Sequence, residues 1–89
     1  MGNGKKPAVT ASAYENSVKL TWSEVDGAEA YAVYKVSDGK AKKLIETQKT
    51  GVKLSGLDPQ TEYSFIVRVK IDGKWSTMKR SDIVTVLTK

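Results

Sequence analysis

With 89 residues and a formal net charge of +5, the chain has room for one small domain and no second core. It contains no cysteine and no histidine, which excludes a disulfide framework, thiolate or imidazole metal sites, and the Ser-His-Asp and Cys-His mechanisms. No apolar run approaches the roughly 20 residues that span a bilayer, and residues 1–7 hold a charged pair without the apolar stretch of a signal peptide.

Residues 1–6, Met1-Gly2-Asn3-Gly4 followed by Lys5-Lys6, are expected to be a flexible lead-in, and residues 7–89 the domain. Val9, Ala11 and Ala13 alternate as a first edge strand would, with Pro7 placed where its missing N–H does little harm. A turn at Glu15-Asn16 leads into Ser17 to Trp22, which puts Val18, Leu20 and Trp22 on one face and Lys19 and Thr21 on the other. Glu24 to Ala28, acidic and containing Gly27, reads as a loop.

A third strand starts near Ala30. Its stretch Tyr31 to Val36 is aromatic and β-branched, and it ends at Ser37-Asp38-Gly39-Lys40, a hairpin signal. The returning strand is expected over Ala41 to Gln48, faced by Leu44 and by either Ile45 or Glu46. Thr50 to Leu57 carries Val52 and Leu54 at alternate positions, and Leu57-Asp58-Pro59-Gln60 is a turn in which proline fixes φ.

Tyr63, Phe65, Val67 and Val69 recur with period two, making Glu62 to Ile71 the longest strand and a central one. Asp72-Gly73 repeats the hairpin signal, Trp75 and a polar stretch follow it, and Ile83 to Leu87 closes the chain as a strand. There is no helical period of useful length and no internal repeat, so the pattern predicts an all-β fold: a seven-stranded antiparallel β-sandwich with Greek-key connections.

Val18-x-Leu20-x-Trp22, Tyr31-x-Val33 and Leu57-x-Pro59-x-Thr61-x-Tyr63-x-Phe65-x-Val67 together resemble the immunoglobulin-like fibronectin type III domain, over Pro7 to Thr88. The resemblance implies a core built on Trp22, Tyr31, Leu57, Tyr63 and Phe65, with Trp22 central between the sheets. It implies a tyrosine corner in which the Tyr63 hydroxyl bonds the backbone near Leu57 or Asp58. Tyr63→Phe is then expected to cost about 1–3 kcal/mol, through a buried backbone acceptor losing its partner. The short strands and the Val25-Asp26-Gly27-Ala28 lead into Tyr31 look more like the modules of bacterial secreted and surface proteins than the animal ones. No Arg-Gly-Asp occurs, so integrin adhesion by that tripeptide is not expected.

Candidate sites are few. The ten carboxylates fall mostly in loops and turns, Glu24, Asp26, Asp38, Asp58 and Asp72 among them, where nothing would shift a pKa for catalysis or ligate calcium densely. No catalytic residue, metal or cofactor is expected. If Tyr31 and Val33 face the core, then Tyr34, Ile66, Arg68 and Lys70 face outward, a mixture found in protein contacts, with ordinary cross-strand pairing as the competing account. Trp75 either stacks on a sugar or a partner or caps the sandwich. The candidate partner contacts are therefore Tyr34, Ile66, Arg68 and Trp75. The basic residues cluster only at Lys5-Lys6, Lys40 to Lys43 and Lys79-Arg80, so no specific nucleic-acid partner is expected.

The function expected is a non-catalytic spacer or interaction module of a larger secreted or cell-surface protein, such as a glycoside hydrolase or another cell-wall or carbohydrate-active protein. Its partners would be the neighbouring domains of the same polypeptide, and it would be extracellular, monomeric and free of membrane contact. The alternative is a ligand-binding module for a glycan, a protein or an anionic polymer, acting through the outer sheet face or Trp75.

Overall fold

Alternation along each strand decides which side chains meet. In the computed structural model, which describes residues 7–77 and 80–89, it closes two antiparallel sheets on one another. β1 (Val9–Ala13), β2 (Val18–Trp22) and β5 (Gly51–Leu54) form the smaller sheet, with β2 in the middle. In the larger sheet β3 (Ala30–Ser37) lies between β4 (Lys40–Thr47) and β6 (Glu62–Ile71). The far edge of β6 is shared by β7 (Lys74–Trp75) and β8 (Val84–Leu87). The expected lead-in over residues 1–6, its Lys5-Lys6 pair, and Lys79 of the last basic cluster lie outside the described residues.

The inward faces supply the core. Val18, Leu20 and Trp22 from β2 pack with Tyr31 and Val33 from β3 and with Phe65, Val67 and Val69 from β6, while Val25 closes the end from its loop. Each set is spaced by two residues, so a slip of one position in any strand would turn it into water.

Both Asp-Gly pairs make the tight hairpins their sequence predicts. Asp38 and Gly39 have φ of 52° and 75°, and Asp72 and Gly73 have 53° and 75°. Two successive positive φ values match the right-handed twist of the flanking strands, and an Asp-Gly pair adopts them at low cost.

Three expectations are corrected. The strands number eight among the described residues, because Lys74–Trp75, just after the second Asp-Gly turn, pairs with β6 as a short extra strand that stops at Trp75. Ser76 is the reason: its N–H donates to the Val69 carbonyl at 2.8 Å, while its hydroxyl accepts from the Val69 N–H at 3.1 Å. That side chain takes the place of the next ladder bond, and the chain leaves β6 through a single 3-10 turn, Arg80–Asp82, before pairing again as β8. The strand expected over 50–57 ends at Leu54, since Gly56 turns with φ of 74° and the Leu57 N–H bonds the Asn16 carbonyl instead. In β4 the register slips opposite Val33 and Tyr34: Val33 pairs with Ile45 and Tyr34 with Lys43, so Leu44 is the extra residue of a bulge.

The described chain enters and leaves at opposite poles. At one end the Ala8 N–H bonds the Ser23 hydroxyl, and at the other the Lys89 N–H bonds the Tyr14 carbonyl, with the length of β1 between them. The domain measures 40 × 25 × 19 Å. The ten residues of β6 extend about 33 Å, which only the longest axis can hold, so the strands run from pole to pole.

Candidate functional site

The residues the sequence singled out divide into an inner and an outer set. Trp22, 6% exposed, stands between the sheets with its ring 5.6 Å from that of Tyr31 and inclined by 59°. The Tyr31 hydroxyl accepts a buried hydrogen bond from the Val25 N–H at 2.9 Å, tying the loop after β2 to the core. Among the described residues the buried Trp22 Nε1 has no acceptor, so the indole contributes area and shape and no polar bond.

Phe65 is fully buried, while Tyr63 and Leu57 are half-buried and pack against the core from the edge. The Tyr63 hydroxyl accepts from the Asp58 N–H at 2.9 Å, an exposed bond. The expected buried backbone acceptor is thus corrected to an exposed donor, because the turn presents its N–H, not its carbonyl, to the phenol. Leu57 is held from the other side, its carbonyl accepting from the Asn16 side-chain amide at 3.0 Å.

Tyr34, Ile66, Arg68 and Trp75 do share the outward face of the larger sheet. Tyr34 pairs with Ile66 across β3 and β6, and Trp75 pairs with Lys70 across β6 and β7. Ile66 offers a partner almost no surface of its own, however, being only 2% exposed. Ile83 and Arg80, on the segment that joins β7 to β8, border a slot over it with Val36 and Ala41. Local alternation identified the face Ile66 points to, but not the distant segment that lines the slot over it.

Arg68 is fixed in place. Its Nε donates to the Ser76 carbonyl at 2.7 Å, its Nη1 reaches the Tyr34 hydroxyl at 3.4 Å, and its guanidinium carbon lies 5.5 Å from the Tyr34 ring centre. Trp75 sits between two ammonium groups, Lys43 Nζ at 5.4 Å and Lys70 Nζ at 5.9 Å from its ring centre. Lys43 also donates to Glu46 at 2.5 Å. That hydrogen bond raises the lysine pKa above its ordinary value and lowers the glutamate's below its own. Ala32, fully buried, is the floor between cross-strand partners Arg68 and Glu46.

Lys43 and Glu46 were missed in the sequence because their facing depends on the bulge. The one available signal was that Lys42-Lys43-Leu44-Ile45 pairs like with like where a regular edge strand would alternate. Of the loop carboxylates, Glu24 and Asp26 are exposed, and among the described residues no three His, Cys, Asp or Glu side chains gather where they could hold a metal ion.

A family model for the fibronectin type III domain matches residues 6–86. The chain belongs to the fibronectin type III family. As a fibronectin type III module it is similar to the crystal structure of FN3tt, at 27% identity and a TM-score of 0.82, covering 92% of this chain and 90% of that one. It shares its fold with the FN1–FN3 domains of chicken CNTN1, at 18% identity and a TM-score of 0.73, covering 93% of this chain and 30% of that one. A structure of consecutive domains from titin matches at 22% identity and a TM-score of 0.73, covering 94% of this chain and 32% of that one. Fibronectin type III modules are generally non-catalytic and commonly act as spacers or interaction modules inside larger polypeptides. No helix among the described residues is long and apolar enough to cross a membrane.

Proposed function

We propose that this module is a non-catalytic spacer, with an interaction face, in a larger secreted or cell-surface protein. The observation that carries the reading is the pole-to-pole course of the chain. Entry beside Ser23 and exit beside Tyr14 put flanking domains at the two ends of a 40 Å axis. A domain whose ends lay side by side would fold its neighbours back on one another, whereas this one holds them apart. The extracellular setting rests on the family resemblance and on the loop that leads into Tyr31, which favours a module of the bacterial type. A carbohydrate-active parent is the specific case of that setting.

The test is geometric. Two copies joined head to tail should scatter X-rays as a rod about twice the length of the 40 Å axis. A particle no longer than the single module would overturn the spacer reading, and turnover of any glycan by the isolated chain would overturn the non-catalytic one.

A further inference from the structure

The outward face of the larger sheet has a composition that the packing of this domain does not call for. Five side chains, Tyr34, Lys43, Arg68, Lys70 and Trp75, interleave aromatic rings and cations over the flat floor at Ala32, with Glu46 the carboxylate bound to Lys43. Three cations against one carboxylate leave the face positive. Further along the same face lies the slot over Ile66, about 270 Å³, walled by Val36, Ala41 and Ile83 with Lys40 and Arg80 also lining it. That volume falls short of the roughly 300–1,000 Å³ of small-molecule sites, and its walls suit an apolar side chain.

The geometry points to docking of an acidic segment of a partner protein on this face. The partner's carboxylates engage Lys43, Arg68 and Lys70 around Trp75, and one of its apolar side chains enters the slot between Val36, Ala41, Ile66 and Ile83. Charge complementarity selects an anionic partner, since the face and the chain as a whole are both positive. Trp, Tyr and Arg are the side chains that most often carry binding energy between proteins. The slot between Val36, Ala41 and Ile83 favours a partner that carries an apolar side chain beside its carboxylates, which a uniform polyanion lacks. Arg68 is already oriented: its bonds to Ser76 and Tyr34 use two of the five N–H donors of its fork, so little side-chain entropy remains to be lost on meeting a carboxylate.

This inference names a partner class for the interaction face proposed above and leaves the spacer geometry to its own test. The probe is a short synthetic peptide carrying a glutamate run beside a single leucine, titrated into the isotope-labelled full chain. Ionic strength is set to about 0.15 M, where the Debye length of roughly 8 Å removes diffuse attraction. Saturable shifts are expected at Tyr34, Arg68, Lys70, the Trp75 indole N–H and Ile83. The glutamine counterpart of the peptide should give none. Lys43→Gln with Lys70→Gln should weaken binding about tenfold while leaving the spectrum dispersed and the thermal midpoint unchanged. Absence of saturable shifts, shifts confined to another face, or saturable binding of heparin, a DNA oligonucleotide or phosphatidylserine vesicles in preference to the peptide would each overturn it. A failure here would leave the rod-like scattering of the tandem pair unaffected.

Discussion

The phenol oxygen of Tyr31 accepts the N–H of Val25 at 2.9 Å, inside the end of the sandwich where both residues are buried. Tyr31→Phe keeps the ring against Trp22 but leaves that N–H with no partner and no water. The expected cost is about 1–3 kcal/mol, read as a lower urea midpoint at unchanged slope.

Tyr63→Phe removes a bond of the same length to the Asp58 N–H, yet that donor is exposed and water can replace the phenol. It should cost about 0.5–1.5 kcal/mol, the net value of an ordinary hydrogen bond, and less than Tyr31→Phe under the same denaturant. The reverse ranking would mean that the corner, not the loop tie, closes the sandwich.

Trp22→Ala should cost about 3–5 kcal/mol, because the indole touches both sheets and its removal leaves a cavity that rigid strands cannot collapse. Trp22→Phe should cost clearly less, since the lost N–H makes no bond among the described residues. Thermal or urea unfolding of the two variants side by side checks the ranking.

Gly39→Ala isolates backbone strain. Gly39 has φ of 75° and nothing within 4 Å of where a Cβ would stand, so no clash enters the measurement. The expected loss is about 1–2 kcal/mol, the penalty of a left-handed conformation for an L residue, measured by unfolding.

Glu46 titrates below the ordinary glutamate range because Lys43 hydrogen-bonds its charged form. For a carboxyl whose folded pKa is depressed, the stabilisation is complete above the unfolded pKa and is lost as pH falls through the folded one. Both groups are exposed, so the effect on stability is small and screened. The site-specific expectation is that Lys43→Ala moves the Glu46 carboxyl midpoint upward in an NMR titration, toward the unperturbed value.

Much of the fold was legible because β2 and β6 are regular. Val18, Leu20 and Trp22, and Phe65, Val67 and Val69, alternate without interruption, and both Asp-Gly turns take the conformation their residues favour. The rest depended on events that leave no period. Leu44 bulges because of how β4 meets β3, Ser76 ends a ladder with its own hydroxyl, and Ile83 lines the slot over Ile66 from a segment remote in sequence. The outer face was half legible for the same reason: Tyr34, Arg68 and Lys70 follow from regular strands, whereas Lys43 and Glu46 depend on the bulge. Trp75 is resolved by neither of its two expected roles alone, since it is half-buried and flanked by two cations.

The route of the chain through the domain also sets how it bears tension. A pull on the two poles runs along β1, whose five residues from Val9 to Ala13 are laddered to Trp22 through Val18, with the bonds lying across the direction of force. At the other pole Thr88, almost wholly buried, donates its hydroxyl to the Asp58 carbonyl at 2.7 Å and accepts the Thr61 N–H at 2.9 Å. Bonds arranged this way share a load and must give together instead of peeling one at a time, so a string of such units would stretch at its joints before any unit opened.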